Sequence, residues 1–287
     1  MSALLAISTG TTAAAVGRPF WDLAAALEGA AATGFPSLEF VLQAEWTERP
    51  PLSPTSADLA RVVRPGRAEI RERVLAAVVR TPITGVHANR DLGALWAAGE
   101  RACALDELAF AVELARASGA RWVIVHAWDP NAGVVDVDEV AAFLSAGTPT
   151  GSPAPILAVE NVPSRDEGRR PEDLLRDILD ACPGAGLTLD LNWASLYGNL
   201  DRLLAVGRER LLNVHVQGRI EGSRLVPRHG ELDLEMAVRR LGREGFPGPY
   251  AVELVAPRGS GDFATAHRWL AGILDGRREG STAGVGR

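Results

Sequence analysis

Lysine is missing from this chain: all 30 basic residues among its 287 are arginine. Schiff-base aldol chemistry, pyridoxal phosphate attachment and a Walker A phosphate loop each need a lysine amine, so all three are excluded. Cysteine is almost as scarce. Cys103 and Cys182 alone cannot build a disulfide framework or a zinc–thiolate cluster, and a reducing cytoplasmic location is expected. No apolar run approaches the roughly 18 residues that span a bilayer. Met1-Ser2-Ala3-Leu4-Leu5 lacks the basic segment of a secretory leader, so no membrane partner is expected. A Gly-rich dinucleotide fingerprint is lacking too, because Ser8-Thr9-Gly10-Thr11-Thr12 after the first apolar run has the wrong spacing. The formal net charge of −6 speaks against nucleic acid as the main partner.

What the chain has is a repeated sentence. Short apolar runs end abruptly in an ionisable residue: Ile83 to His87, Val123 to His126, Ile156 to Glu160, Leu187 to Asp190, Leu211 to His215 and Tyr250 to Glu253. Ala3 to Ser8 and Leu38 to Leu42, which contains Glu39, read as two further strands. Helical patterns separate them, and Pro171 with Glu172 and Asp173 marks one helix start while Asp233 caps another. Eight strand–helix units with no dividing linker predict a single-domain α/β fold, a closed (β/α)8 TIM barrel over 1–275. The Gly-rich stretch 276–287 is expected to be a disordered tail.

In such a barrel all strands point one way, so the strand ends converge at the face that carries active sites. Glu160, Asp190, His215 and Glu253 close strands five to eight, which are neighbours. Three carboxylates there cannot all stay ionised without a cation, and a divalent ion with His215 as its nitrogen ligand resolves the conflict. Oxygen-rich ligation favours Mn²⁺, Mg²⁺ or Co²⁺ and admits Zn²⁺. His87 and His126 face either structural duty or the pocket. Glu39 is read as reaching the pocket or pairing with a loop arginine. Arg219, Arg224, Arg228 and His229 occupy one loop, 217–231, which either holds an anion or is simply solvated. Trp46, in the long loop 43–55, and Trp128 are candidate lid or stacking residues.

The ordered set Gly85-Val86-His87, Val125-His126, Val159-Glu160-Asn161, Leu189-Asp190, Val214-His215 and Val252-Glu253-Leu254 resembles the xylose isomerase-like barrel superfamily. That superfamily joins sugar and sugar-phosphate isomerases and epimerases with endonuclease IV-type nucleases. The resemblance implies metal ligation by Glu160, Asp190, His215 and Glu253. It also implies acid/base work by Glu160 and Glu253, passing a proton through an enediolate of a sugar or polyol. His87, His126, Trp193, Arg219, Arg224, His229 and Glu39 are the expected substrate contacts. Three departures matter: Trp193 stands where the family usually has histidine, and Pro227-Arg228-His229 replaces the Asp-x-His that supplies a third zinc site in the nucleases. Glu221 also stands where the ketose epimerases carry an arginine. Alternatives are a metal-dependent hydrolase with His87, His126 and Glu160 around a second zinc, and a barrel that binds metal without turnover. The sequence does not fix the oligomeric state, and a homo-oligomer is one expectation.

Overall fold

The computed structural model describes residues 4–47, 62–149, 151 and 153–276. The expected tail therefore lies outside the described residues apart from Gly276, as does most of the long loop beyond Thr47. Among the described residues nine strands form: β1 (Leu4–Ser8), β2 (Leu38–Val41), β3 (Ile83–His87), β4 (Trp122–Val125), β5 (Ile156–Glu160), β6 (Gly186–Asp190), β7 (Leu211–Glu221), β8 (Arg224–Val226) and β9 (Pro249–Leu254). All except β8 pair in parallel, in the order β1 to β7 and then β9. The ring closes where β9 pairs with β7 on one side and β1 on the other, with Val214 opposite Tyr250 and Leu5 opposite Tyr250. This is the expected eight-stranded parallel barrel.

The outer layer consists of α1 (Leu23–Ala32), α2 (Arg67–Val78), α3 (Leu92–Ala97), α4 (Arg101–Ser118), α5 (Val137–Gly147), α6 (Pro171–Ala181), α7 (Leu191–Tyr197), α8 (Leu200–Gly207), α9 (Leu234–Arg243) and α10 (Ser260–Leu274). Local chemistry starts several of them. Asp22, Asp136 and Asp233 each accept from backbone N–H groups of the first turn, and Pro171 opens α6 where its missing N–H costs nothing. In α6, Leu174, Leu175, Ile178 and Leu179 are buried, the i, i+1, i+4, i+5 stripe that seats a helix on a sheet.

Strand alternation then divides the apolar residues between two compartments. Leu157 and Val159 of β5 join the main core between sheet and helices, with Leu108, Phe143 and Leu174. Ala158 instead joins Trp122 and Ile124 in a separate cluster inside the barrel. Gly85 makes room for that cluster: a Cβ there would stand 2.4 Å from Trp122 Nε1. The same inward parity leaves Glu160, one step above Ala158, pointing into the upper barrel.

Three elements differ from the sequence reading. The expected loop after β7 begins as a hairpin, with β7 running on to Glu221 and pairing antiparallel with β8, Arg219 opposite Val226. Gly222 at its tip has φ 61°, a left-handed turn that glycine accepts freely. The apolar pattern over 195–206 predicts one helix, but two form, divided where Gly198 at φ 58° ends α7. The pattern over 89–98 predicts irregular chain, and it contains the short helix α3.

Candidate metal centre

His215 sits at the centre of the upper barrel, wholly buried. Its Nε2 lies 3.1 Å from both oxygens of Glu39. Nδ1 has no hydrogen-bond partner and stands 3.4 Å from Glu160 Oε1 and 3.8 Å from Glu253 Oε1. Asp190 contributes a second unsatisfied atom. Its Oδ1 accepts from Trp193 N at 2.9 Å and so caps α7, while Oδ2 is buried without a partner. Asn161 fixes this corner by exchanging hydrogen bonds with the Asp190 backbone N–H and C=O.

Both glutamates are held by one oxygen. Glu160 Oε2 lies 3.1 Å from Nε2 of His87 and 3.1 Å from Nε2 of His126. Glu253 Oε2 accepts from Gln217 Nε2 at 2.9 Å. Gln217 Oε1 in turn accepts from Asn192 Nδ2, and Asn192 Oδ1 accepts from the backbone N–H groups of Arg228 and His229. A chain of amides thus ties the loop after β8 to Glu253.

Burial and mutual repulsion set the proton distribution. Burial works against a charged His215, yet Glu39, Glu253 and Glu160 hold its imidazolium well above the usual histidine range. Burial and then the Glu160 charge push the Asp190 carboxyl well above the usual range. Glu160, also buried, is held well below its usual range by His215 and His126. Both shifts favour the protonated forms of Asp190 and His215 where no cation is bound. Buried orphan acceptors are costly. Asp190 Oδ2 and His215 Nδ1, with two carboxylate oxygens beside them, are the donor set that a divalent ion satisfies. Ligand atoms of Glu160, Asp190 and His215 lie within 4.8 Å of one another, as do those of His87, His126 and Glu160. The residues fit the implied metal.

The other expected contacts divide. His87 and His126 join the cluster, their rings 5.0 Å apart. Trp193 and His229 stack at 5.6 Å and 17°, so the residue that replaces the family histidine packs on the histidine that the Asp-x-His pattern keeps. Glu39 does not reach the pocket surface: it is fully buried, and its carboxylate is taken up by His215 and by Asn213 Nδ2 at 2.7 Å. Arg219 pairs with Glu221, and with Arg224 it lines a different groove of about 350 Å³ beside Asp233, Glu235 and Trp269. None of the candidate ligands lines that groove. Trp46 and Trp128 are buried and donate to the carbonyls of Trp21 and Pro163, which makes them anchors rather than lids. The sequence reading carried Asn161 in a family motif without giving it a role, and missed Asn192, Asn213 and Gln217. Asn213 and Gln217 lie two residues either side of His215, so period-two alternation alone places them on its face.

The sequence profile of the xylose isomerase-like TIM barrel family matches residues 27–273. Among solved structures, endonuclease IV from Thermus thermophilus superposes with a TM-score of 0.61 at 22% identity, covering 96% of this chain and 100% of that one. An L-ribulose 3-epimerase gives 0.63 at 14% identity, covering 96% and 95%. D-allulose 3-epimerase from Methylomonas sp. gives 0.59 at 16% identity, covering 96% of each. These likenesses speak for the fold. No curated protein sequence matches significantly.

Proposed function

This chain belongs to the xylose isomerase-like TIM barrel family, and from that premise we propose that it is a divalent-metal-dependent isomerase or epimerase of a sugar or sugar-like polyol. The observation that carries the reading is the matched pair of glutamates. Glu160 and Glu253 are each pinned by Oε2 and turn Oε1 toward His215 Nδ1. Proton transfer next to a carbonyl needs an acid and a base held on a common centre, and this arrangement provides two carboxylates. Glu160, Asp190, His215 and Glu253 hold the ion, with Mn²⁺, Mg²⁺ or Co²⁺ preferred. When bound, the ion polarises the substrate carbonyl and the neighbouring hydroxyl. Glu160 removes a carbon-bound proton and Glu253 returns one. His87 and His126 keep Glu160 Oε2 engaged and face substrate hydroxyls, while Trp193 and His229 wall the pocket on the apolar side.

The test is deuterium incorporation from D₂O into a panel of ketoses by metal-loaded protein. Exchange at one carbon is expected, and Glu160→Gln and Glu253→Gln should each abolish it at an unchanged melting temperature. An active Glu253→Gln protein would remove the acid/base assignment.

A second reading, a dinuclear hydrolase, has one observation behind it: ligand atoms of His87, His126 and Glu160 lie within 4.8 Å of one another. His87 Nδ1 lies 2.8 Å from Ala88 O, which can only accept, so Nδ1 carries the hydrogen. Nε2 then meets Glu160 Oε2 either as an imidazolium donor or as a lone pair that needs a second ion. Burial resists the charge, but Glu160 raises the His87 pKa, which suits the imidazolium and a single metal. Metal stoichiometry separates the two: one ion per chain supports the isomerase, two zincs the hydrolase.

A further inference from the structure

We infer that Glu39 is a positioning residue that fixes His215 as the Nε2–H tautomer, so that Nδ1 alone is offered to a divalent ion. The inference rests on the metal-centre reading above and deepens it. A carboxylate only accepts, so the 3.1 Å contacts from His215 Nε2 to both Glu39 oxygens place the hydrogen on Nε2. Asn213 Nδ2 donates to Glu39 Oε2 at 2.7 Å and holds the carboxylate in register with the ring.

The contact crosses the barrel. Glu39 is on β2 and His215 on β7, with β1 and β9 between them around the ring. No strand pairing creates it, and both side chains are fully buried, so neither solvent nor substrate competes for the bond. The His87 ring stacks on His215 at 5.7 Å and 16°, which opposes rotation of the imidazole. On its opposite edge, Nδ1 has no hydrogen-bond partner and faces Glu160 and Glu253. Turning the ring over would aim carbon at Glu39, stranding a buried carboxylate. A carboxylate behind a ligating histidine fixes tautomer and direction and raises ligand basicity.

The experiment compares wild-type protein, Glu39→Gln and Glu39→Asp, loaded with Zn²⁺ as a diamagnetic probe. Long-range ¹⁵N–¹H correlation reads the His215 tautomer, with His215→Asn supplying the assignment. Zinc affinity comes from competition with a chromophoric chelator, and thermal melts check the fold. In wild type, His215 should show a protonated Nε2 and a metal-shifted Nδ1. Glu39→Gln should weaken zinc binding about 10- to 100-fold, because it removes the charge behind His215 and sets an NH₂ donor where Glu39 Oε1 stood, 3.1 Å from the Nε2 donor. Glu39→Asp, keeping charge but not reach, should recover part of that loss. Metal on Nε2 in wild type, which needs no variant to fold, would overturn the inference. So would unchanged zinc affinity in a folded Glu39→Gln. Wild type that binds no divalent ion would sink the metal-centre reading itself, a separate result.

Discussion

Asp190 does two jobs with two oxygens, and its substitution separates them. Replacing it with asparagine would keep an oxygen for Trp193 N, since asparagine and aspartate cap helices about equally well. The change would also relieve the burial of a carboxyl that Glu160 opposes. Asp190→Asn should therefore lose metal affinity while its metal-free melting temperature stays level or rises; a fall by several degrees would show that the carboxylate has a structural role instead. Protons make a related point. The raised values of Asp190 and His215 mean that protons compete with an entering ion at both. Binding should release protons and tighten as pH rises, levelling off once pH passes the raised values. Calorimetry in buffers of different ionisation enthalpy measures this directly. The four candidate ligands were legible because each ends an apolar run. Glu39 was visible as a residue, but its position behind His215 depends on the distance across the barrel, which no local pattern encodes.

At the scale of elements, the loop 227–232 is seated on α7 by side chains that a sequence does not pair. Ser195 Oγ accepts from Leu232 N, and Asn192 takes the N–H groups of Arg228 and His229. Gly230 lies at φ 69°, and a Cβ there would come 2.0 Å from the Ser195 carbonyl oxygen. Gly230→Ala should unseat the loop, adding about 1–3 kcal/mol of local strain. The expected outcome is faster proteolysis at the loop and reduced turnover with little change in the global melt; intact resistance to protease would contradict it. The β7–β8 hairpin went unread because Gly218 interrupts the strand alternation and the turn is only Gly222-Ser223. Gly218 is needed where it is, since a Cβ would meet the Val226 carbonyl at 2.2 Å.

For the molecule as a whole, the barrel was legible because eight strand–helix units admit few parallel arrangements, and closure through β9 follows from their number. How the interior is filled was not legible. Trp122 occupies space that Ala158 and Gly85 leave, a complementarity set by three different strands. Gly85→Ala should force the indole aside and destabilise the barrel by about 1–3 kcal/mol. Denaturant melts test this, and an unchanged midpoint would show that the interior is slack. No helix among the described residues is long and apolar enough to cross a membrane. The apolar surface these helices do carry is spent on the sheet, and burial of that kind is what holds the barrel together.

The amide chain above the barrel has a direction. Backbone N–H groups cannot become acceptors, so the carboxamide of Asn192 must present oxygen to the loop and nitrogen to Gln217. Gln217 must then present nitrogen to Glu253. Neither amide can flip without facing donor to donor or acceptor to acceptor. The polarity runs one way, like a row of aligned magnets, and it ends on Glu253 Oε2. That oxygen is engaged as an acceptor, which favours Oε1 as the seat of any proton Glu253 carries. The two oxygens of this carboxylate are thereby made chemically distinct by a loop that acts on it only through two intervening amides.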